Sequence, residues 1–473
     1  MTKQKIFFHI NLIFIFLTFL LFPSSIQAKN IFGLHLTQTS DIDQAANIIN
    51  SSGGDWGWLT IAIRIDQLDK NAWQDFFDKC RQFHLIPLVR LATGLQDQYW
   101  IKPTKEDIDQ FVYFLDSLNW PTTSQHVILF NEVNRSDEWS NLADPIQYAD
   151  IAIYASQKFK QKNPNFTIIS AGLDLSAPNN PPVYISADNF YKQIIDNQPD
   201  FFQHMDGLAS HSYPNPGFIG KPTHTNRFSI KGYLWEIDYL KSLGVTKDLP
   251  IFITESGWPH REGVLNNNTY YTSTTSAQFL IQALDIWSKD DKVKAVTPFI
   301  FNYPYQPFDH FSWLDSQQNM YPSYQTIIQL PKQTNQPDQI TKLEIAKVKL
   351  PLIILPDHQY QAKVYLKNVG QSIWSKDEKG FCLSPQSTQN ISLTQICTNP
   401  DILILPGQTQ KINFVFTLFQ DPKPPKTFIG WQGVEDVFEI TPIIQIMPIY
   451  RPKTKFVQKV QDFFENLPKI SFF

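Results

Sequence analysis

Apolar residues in the first two thirds of the chain gather into short unbroken runs instead of alternating with polar ones. The runs are Ile31–His35, Leu59–Arg64, Ile86–Leu91, Val127–Asn131, Thr167–Ala171, Gly207–Ser210, Ile251–Thr254 and Val296–Phe301. Unbroken runs of this length suit parallel strands covered on both faces. Between them, Asp41–Ile49, Trp73–Phe83, Lys105–Leu118, Pro145–Lys162, Asn189–Ile195, Ile230–Leu243 and Thr274–Ser288 carry helical spacing, with Asp41 and Thr274 placed to start helices. Eight strand–helix units in about 300 residues predict an α/β fold, a closed (β/α)8 TIM barrel over residues 29–330. The alternative, a doubly wound open sheet, usually shows a Gly-rich phosphate turn after its first strand. Here Ser51-Ser52-Gly53-Gly54 comes late and lacks that pattern.

The pattern changes after Leu330. A polar, Pro-containing linker is expected over 331–340. Beyond it, β-like runs at Leu343–Leu350, Gln361–Lys367, Ile402–Leu405, Lys411–Leu418 and Phe438–Ile446 predict an all-β sandwich over 341–450. In the tail, 451–473, the residues Phe456, Val457, Val460, Phe463, Phe464 and Leu467 share one helical stripe. The protein's own surface is the expected cover for it. A peripheral membrane or cell-surface association is the alternative, and Asp462 and Glu465 weigh against it by diluting the basic charge.

Residues 1–28 read as a signal peptide: Lys3 and Lys5, an apolar run from Ile6 to Phe22, then Ser24-Ser25-Ile26-Gln27-Ala28. An uncleaved anchor is the alternative. Either reading places the folded part outside the cytoplasm, secreted or at the cell surface. There Cys382 and Cys397 are able to pair, closing a loop whose entropy is worth about 3 kcal/mol. Cys80, in a predicted helix, is expected as a small buried hydrophobe.

Composition narrows the function classes. Lys plus Arg total 40 against 44 Asp plus Glu, a net charge of -4, so no broad positive field attracts nucleic acid. No His or Cys cluster has metal-ligand spacing, so neither metal nor cofactor is expected. The 12 tryptophans suit stacking on sugar faces and equally suit core packing. Oligomeric state is left open.

In a parallel barrel the reactive groups stand at strand C-termini. The fourth predicted strand ends in Phe130-Asn131-Glu132-Val133-Asn134 and the seventh in Ile253-Thr254-Glu255-Ser256-Gly257-Trp258-Pro259. Two half-buried carboxylates at one mouth are costly as ions unless paired or protonated. Paired carboxyls at unequal pKa perform glycoside hydrolysis, one as acid and the other as nucleophile. A separation of roughly 5 to 5.5 Å gives retention, and about 6.5 to 9.5 Å gives inversion. The bland readings are a helix-capping Glu132, a purely structural ion pair for Arg64 and a satisfied structural His211.

Over about residues 30 to 330, Asn131-Glu132 and Thr254-Glu255-Ser256-Gly257-Trp258 at these strand ends resemble the clan A glycoside hydrolases. That resemblance implies Glu132 as acid/base, Glu255 as nucleophile and Asn131 as the holder of the sugar 2-hydroxyl. It implies that Arg64 pairs with the nucleophile, and that His211 and Tyr213, in Ala209-Ser210-His211-Ser212-Tyr213-Pro214, hydrogen-bond it. Trp313, and with it Trp258, would bind substrate, Trp313 as a stacking platform; packing is the alternative fate of both. Val133 replaces the clan's common Pro, Arg90 ends the third strand without an assigned role, and His35 is unassigned. In the C-terminal region, Val364-Tyr365-Leu366-Lys367-Asn368-Val369-Gly370, Trp374 and Leu405-Pro406-Gly407-Gln408 resemble immunoglobulin-like domains of selective-autophagy receptors and bacterial surface proteins, implying a binding or spacing module. The expected function is a retaining glycoside hydrolase cleaving β-linkages in a polysaccharide or oligosaccharide. The alternatives are a non-catalytic carbohydrate-binding or adhesion protein, and a transglycosylase using the same carboxylates.

Overall fold

The computed structural model describes residues 30–351, 354, 357–375, 382–384, 391–399, 401–419, 427–429 and 438–440. The expected signal peptide and the amphipathic tail lie outside the described residues, as do 441–446 of the last expected strand. Two compact units divide the chain: Met1–Leu118 with Ser124–Pro337, and Asn119–Thr123 with Asp338–Phe473.

The first unit is built on eight strands: β1 (Gly33–Leu36), β2 (Gly57–Arg64), β3 (Leu85–Ala92), β4 (Gln125–Ile128), β5 (Phe166–Ser170), β6 (Gly207–His211), β7 (Ile251–Glu255) and β8 (Val293–Val296). They hydrogen-bond in sequence order, every neighbouring pair parallel. The sheet closes on itself through a parallel bridge between Phe32 and Val296, with Val296 N–H donating to Ile31 O at 2.7 Å. Closure removes both edges and rules out the doubly wound alternative.

Helices α1 (Ile42–Ile49), α2 (Lys70–Gln82), α3 (Lys105–Asp116), α4 (Pro145–Lys162), α5 (Ala187–Asn197), α6 (Gly232–Ser242), α7 (Ser273–Trp287) and a short α8 (Gln325–Ile328) follow the strands in turn. The strands are buried along nearly their whole length, because helices cover one face and the lumen fills the other. Trp58, Ile86, Leu88, Ile128, Ile169, Ala209, Phe252 and Ala295 pack that lumen. Fully burying each of the large side chains among them contributes about 2 to 3 kcal/mol. The barrel is therefore a solid post, and its functional groups are confined to the rim. Among the described residues no helix is long and apolar enough to cross a membrane.

Some element ends differ from expectation. The eighth strand, Val293–Val296, lies ahead of the expected Val296–Phe301 and shares only Val296 with it, because Pro298 has no N–H to continue a ladder. Residues 297–301 bond instead to several strand ends: Thr297 N–H to Ile253 O, Phe299 N–H to Ser256 O and Phe301 N–H to His35 O. The fourth strand stops at Ile128, and the chain turns through Phe130 (φ 72°) and Glu132 (φ 32°). Asp41 makes no side-chain capping bond. Helix α7 starts one residue before Thr274 and is capped by Thr272, whose hydroxyl accepts the Thr275 N–H. The expected linker is bonded into the first unit as far as Asn335, whose amide donates to Asn30 O and Trp56 O.

In the second unit, β9 (Leu343–Lys349), β10 (Gln359–Asn368), β11 (Ile391–Leu393) and β12 (Thr409–Leu418) form an antiparallel sheet in the order β9-β10-β12-β11. Ile345, Val364, Leu366, Trp374, Phe414 and Phe416 form its apolar core. The expected strand Ile402–Leu405 contributes a single bridge, Ile404 to Trp374. Cys382 and Cys397 face each other across a two-stranded pair and are disulfide-bonded, and Cys80 is buried and free.

Candidate active site

The carboxyl-terminal ends of the strands converge on Glu255, the last residue of β7, which is buried. Arg90, near the end of β3, donates from Nη1 to Glu255 Oε1. Tyr213 Oη donates to Glu255 Oε2 at 3.2 Å. His35 Nδ1, from β1, lies 3.8 Å from Oε1, and His211 Nδ1, ending β6, lies 3.8 Å from Oε2. Burial opposes ionisation of Glu255, but His211 and Arg90 hold its carboxyl well below the usual carboxylate range. Burial, aided by the Arg90 charge, pushes His35 down to about 3, so it stays neutral. Its Nδ1 faces Thr254 O at 3.3 Å, and a carbonyl only accepts, so the ring proton sits there.

Glu132 stands across the mouth, on the turn after β4. Its backbone lies in the left-handed region, a strained conformation for a residue with a Cβ. Two bonds secure the turn: Glu132 N–H donates to Gly172 O at 2.9 Å, and Arg135 N–H donates to Glu132 O at 2.9 Å. The carboxyl meets His211 Nδ1 at 2.9 Å through Oε1 and Arg135 Nη1 at 3.2 Å through Oε2. Arg135 is shared with Asp137 at 2.7 Å and Asp174 at 3.7 Å, so its charge is divided. One oxygen of Glu132, one of Glu255 and one His211 nitrogen all lie within 4.8 Å of one another. Burial works against a charge on His211, yet the Glu255 carboxylate and the bond to Glu132 outweigh it and raise its pKa.

The imidazole has room because residue 172 is glycine: a Cβ there would come within 2.3 Å of the His211 ring. Behind it, Ser210 Oγ donates to Glu236 of α6, Tyr191 Oη donates to the same carboxyl at 2.6 Å, and Ser212 Oγ accepts the Tyr233 N–H at 3.0 Å. Burial pushes Glu236 up to about 7, against the pull of these two hydroxyls. The end of β6, which carries both His211 and Tyr213, is thus anchored from the helix side.

Four expectations need correction. Arg64 does not reach Glu255. It forms a fork with Asp66, Nε to Oδ1 at 3.0 Å and Nη2 to Oδ2 at 2.5 Å, and stands 5.8 Å from the Trp100 ring. The register explains this: Arg64 pairs with Ala92 and Arg90 with Ala62, so Arg64 stands two residues further along the ladder, above the level of the carboxylate. Of His211 and Tyr213, the first bonds Glu132 and the second bonds Glu255. Trp313 is fully buried, stacked on Tyr324 at 4.7 Å and 7°. Trp258 is buried too, its Nε1 donating to Gly220 O at 2.7 Å with its ring against Phe279. Neither tryptophan presents a face to a sugar.

An open aromatic ridge stands at the rim instead. From His35 the rings run edge-to-face through Phe299 (5.3 Å), Phe308 (5.2 Å), Tyr303 (5.5 Å) and Tyr305 (6.4 Å). Phe308 is 41% and Tyr305 64% exposed, with Tyr303 half-buried between them. Asn131 lies between Arg90 and Glu138: its Oδ1 accepts from Arg90 Nη1 at 2.7 Å and its Nδ2 donates to Glu138 Oε1 at 3.1 Å.

Glu132, His211 and Glu255 are also the one group among the described residues able to offer ligands to a metal ion. Arg90 and Arg135 already lie against the two carboxyls, and His211 Nδ1 is bonded to one of them. The cluster is therefore held together by the chain's own cations.

No protein-family model and no curated protein matches the chain. Among solved structures it is similar to a family 39 glycoside hydrolase from the gut symbiont Bacteroides cellulosilyticus WH2, at 14% identity over 83% of this chain and 81% of that one, with a TM-score of 0.45. A glucosidase from Croceicoccus marinus aligns at 9% identity over 83% and 97% of the two chains, TM-score 0.47. A β-mannanase from Thermomonospora fusca aligns at 13% identity over 64% and 90%, TM-score 0.40.

Proposed function

We propose that the barrel is a retaining glycoside hydrolase that cleaves β-linked sugars by double displacement, with Glu255 as nucleophile and Glu132 as acid/base. The observation that carries this reading is the approach of the two carboxyls to within 4.8 Å in unequal surroundings. That approach supports the roughly 5 to 5.5 Å of direct attack by a carboxylate over the wider separation of about 6.5 to 9.5 Å that inversion requires. Glu255, surrounded by donors, is the group kept ionised. Glu132 shares a divided arginine.

In the first step the Glu132 O–H protonates the departing glycosidic oxygen while a Glu255 oxygen attacks the anomeric carbon. The C–O bond breaks as an ester to Glu255 forms. In the second, the Glu132 carboxylate takes a proton from water, the resulting hydroxyl attacks the same carbon, and Glu255 leaves as carboxylate. His211 donates to Glu132 when it is ionised and so lies between the two charge changes. The Asn131 amide would hold the sugar 2-hydroxyl, and the ridge ending in Tyr305 offers stacking faces for further sugar units.

On a panel of aryl β-glycosides, Glu255→Gln is expected to lose at least about a thousandfold in kcat with its fold intact. Glu132→Ala is expected to lose hydrolysis of substrates with poor leaving groups and to regain turnover with azide, giving a β-glycosyl azide. Normal hydrolysis by either variant would overturn the assignment. Tyr305→Ala should raise KM for oligosaccharides with little change in kcat.

A further inference from the structure

Glu138 is a third carboxyl of this site, and it lacks a counter-ion: among the described residues no cation stands within ion-pair distance, and its hydrogen-bond partner is the Asn131 amide. It ends a single 3-10 turn, Ser136–Glu138, that follows directly on the strained loop bearing Glu132. Asn131 is thereby held from two sides. Arg90 can only donate, so the amide oxygen must face it, and the amide nitrogen must then face Glu138. One of the two Nδ2 hydrogens goes to Glu138 and the other is left free.

We propose that Glu138 is a positioning residue for this reaction: with Arg90 it locks the Asn131 amide so that its second N–H is aimed at the sugar 2-hydroxyl. The inference rests on the glycosidase reading and deepens it. Glu138 does this as the neutral acid. Burial and the neighbouring Glu132 push its carboxyl up to about 8, Asp137 adding to the effect, while Arg90 and the Asn131 bond pull the other way. Arg135, which joins Glu132 to Asp137, completes the charged surroundings. A neutral Glu138 accepts from Asn131 without bringing another negative charge to the acid/base.

The test is a double-mutant cycle with a conservative rescue, measured at pH 6 to 7. Glu138→Ala is expected to lower kcat/KM on the order of tenfold to a hundredfold. Glu138→Gln, neutral and still an acceptor, should restore most of that loss. In an Asn131→Ala background, Glu138→Ala should cost less than about twofold, because the residue it acts through is gone. Equal costs in both backgrounds, or a Gln variant as impaired as Ala, would overturn the proposal. A second readout needs no turnover: with 13C-labelled glutamate, the carboxyl signal missing in Glu138→Gln should titrate near 8 in the wild-type chain. A midpoint near the ordinary value of about 4.3 would sink the proposal even if the glycosidase reading stood. A midpoint near 8 in a chain that hydrolyses no glycoside would overturn the glycosidase reading instead.

Discussion

As the proposed nucleophile, Glu255 must be ionised to attack carbon, and its neighbours favour that form in a buried site. Arg90 is the fixed member of that set, since a guanidinium keeps its charge at any working pH. Replacing it by Met removes a cation from Oε1, which favours the protonated carboxyl. The acid limb of kcat/KM should then move upward, toward the ordinary carboxylate value of about 4.3. A pH profile with an unmoved limb would contradict the role given to Arg90. The same depressed pKa stabilises the fold above the unfolded-state value, and that contribution is lost as pH falls through the folded-state value. Glu138 has the opposite sign: its folded-state pKa is raised, so stability falls as pH rises from about 4.3 to about 8, and Glu138→Gln should gain on the wild type over that window. At this scale the sequence was informative about residue types at strand ends and poor about level. Arg64 and Arg90 both end strands, and only the pairing of Arg90 with Ala62 shows which one stands beside the carboxylate.

The elements were legible where periodicity is strong. Seven of the eight barrel strands overlap their expected apolar runs, since a strand covered on both faces must be largely apolar; the eighth, Val293–Val296, lies ahead of its run and shares only Val296 with it. Strand ends were less legible, because they are decided by tertiary bonds and backbone breaks: Pro298 stops β8, and Phe130 and Glu132 turn the chain out of β4. Glu138 escaped notice because it sits on a short 3-10 turn that carries no periodic signal. The cross-strand fit of Gly172 to His211 was equally invisible, since it joins a residue just past β5 to one ending β6. Gly172→Ala tests that fit. The added methyl should displace the imidazole and lower kcat/KM on the order of a hundredfold, while circular dichroism shows the barrel retained. Full activity in this variant would show that His211 need not sit where it does.

For the molecule as a whole, barrel closure turns eight separate strand ends into one site. Glu132 and Glu255 are distant in the chain, and the ring of parallel strands sets them across one mouth with His211 between them. The buried tryptophans show the limit of composition at this scale: Trp313 and Trp258 serve the packing of the barrel, and smaller rings line the rim. The most direct test of the central claim is to trap the intermediate with a panel of activated 2-deoxy-2-fluoro β-glycosides and map the adduct by mass spectrometry of the digested protein. The mechanism predicts one sugar per chain, esterified to Glu255 and absent from Glu255→Gln. Labelling at another residue, or turnover of β-glycosides that releases the α-anomer first, would contradict it.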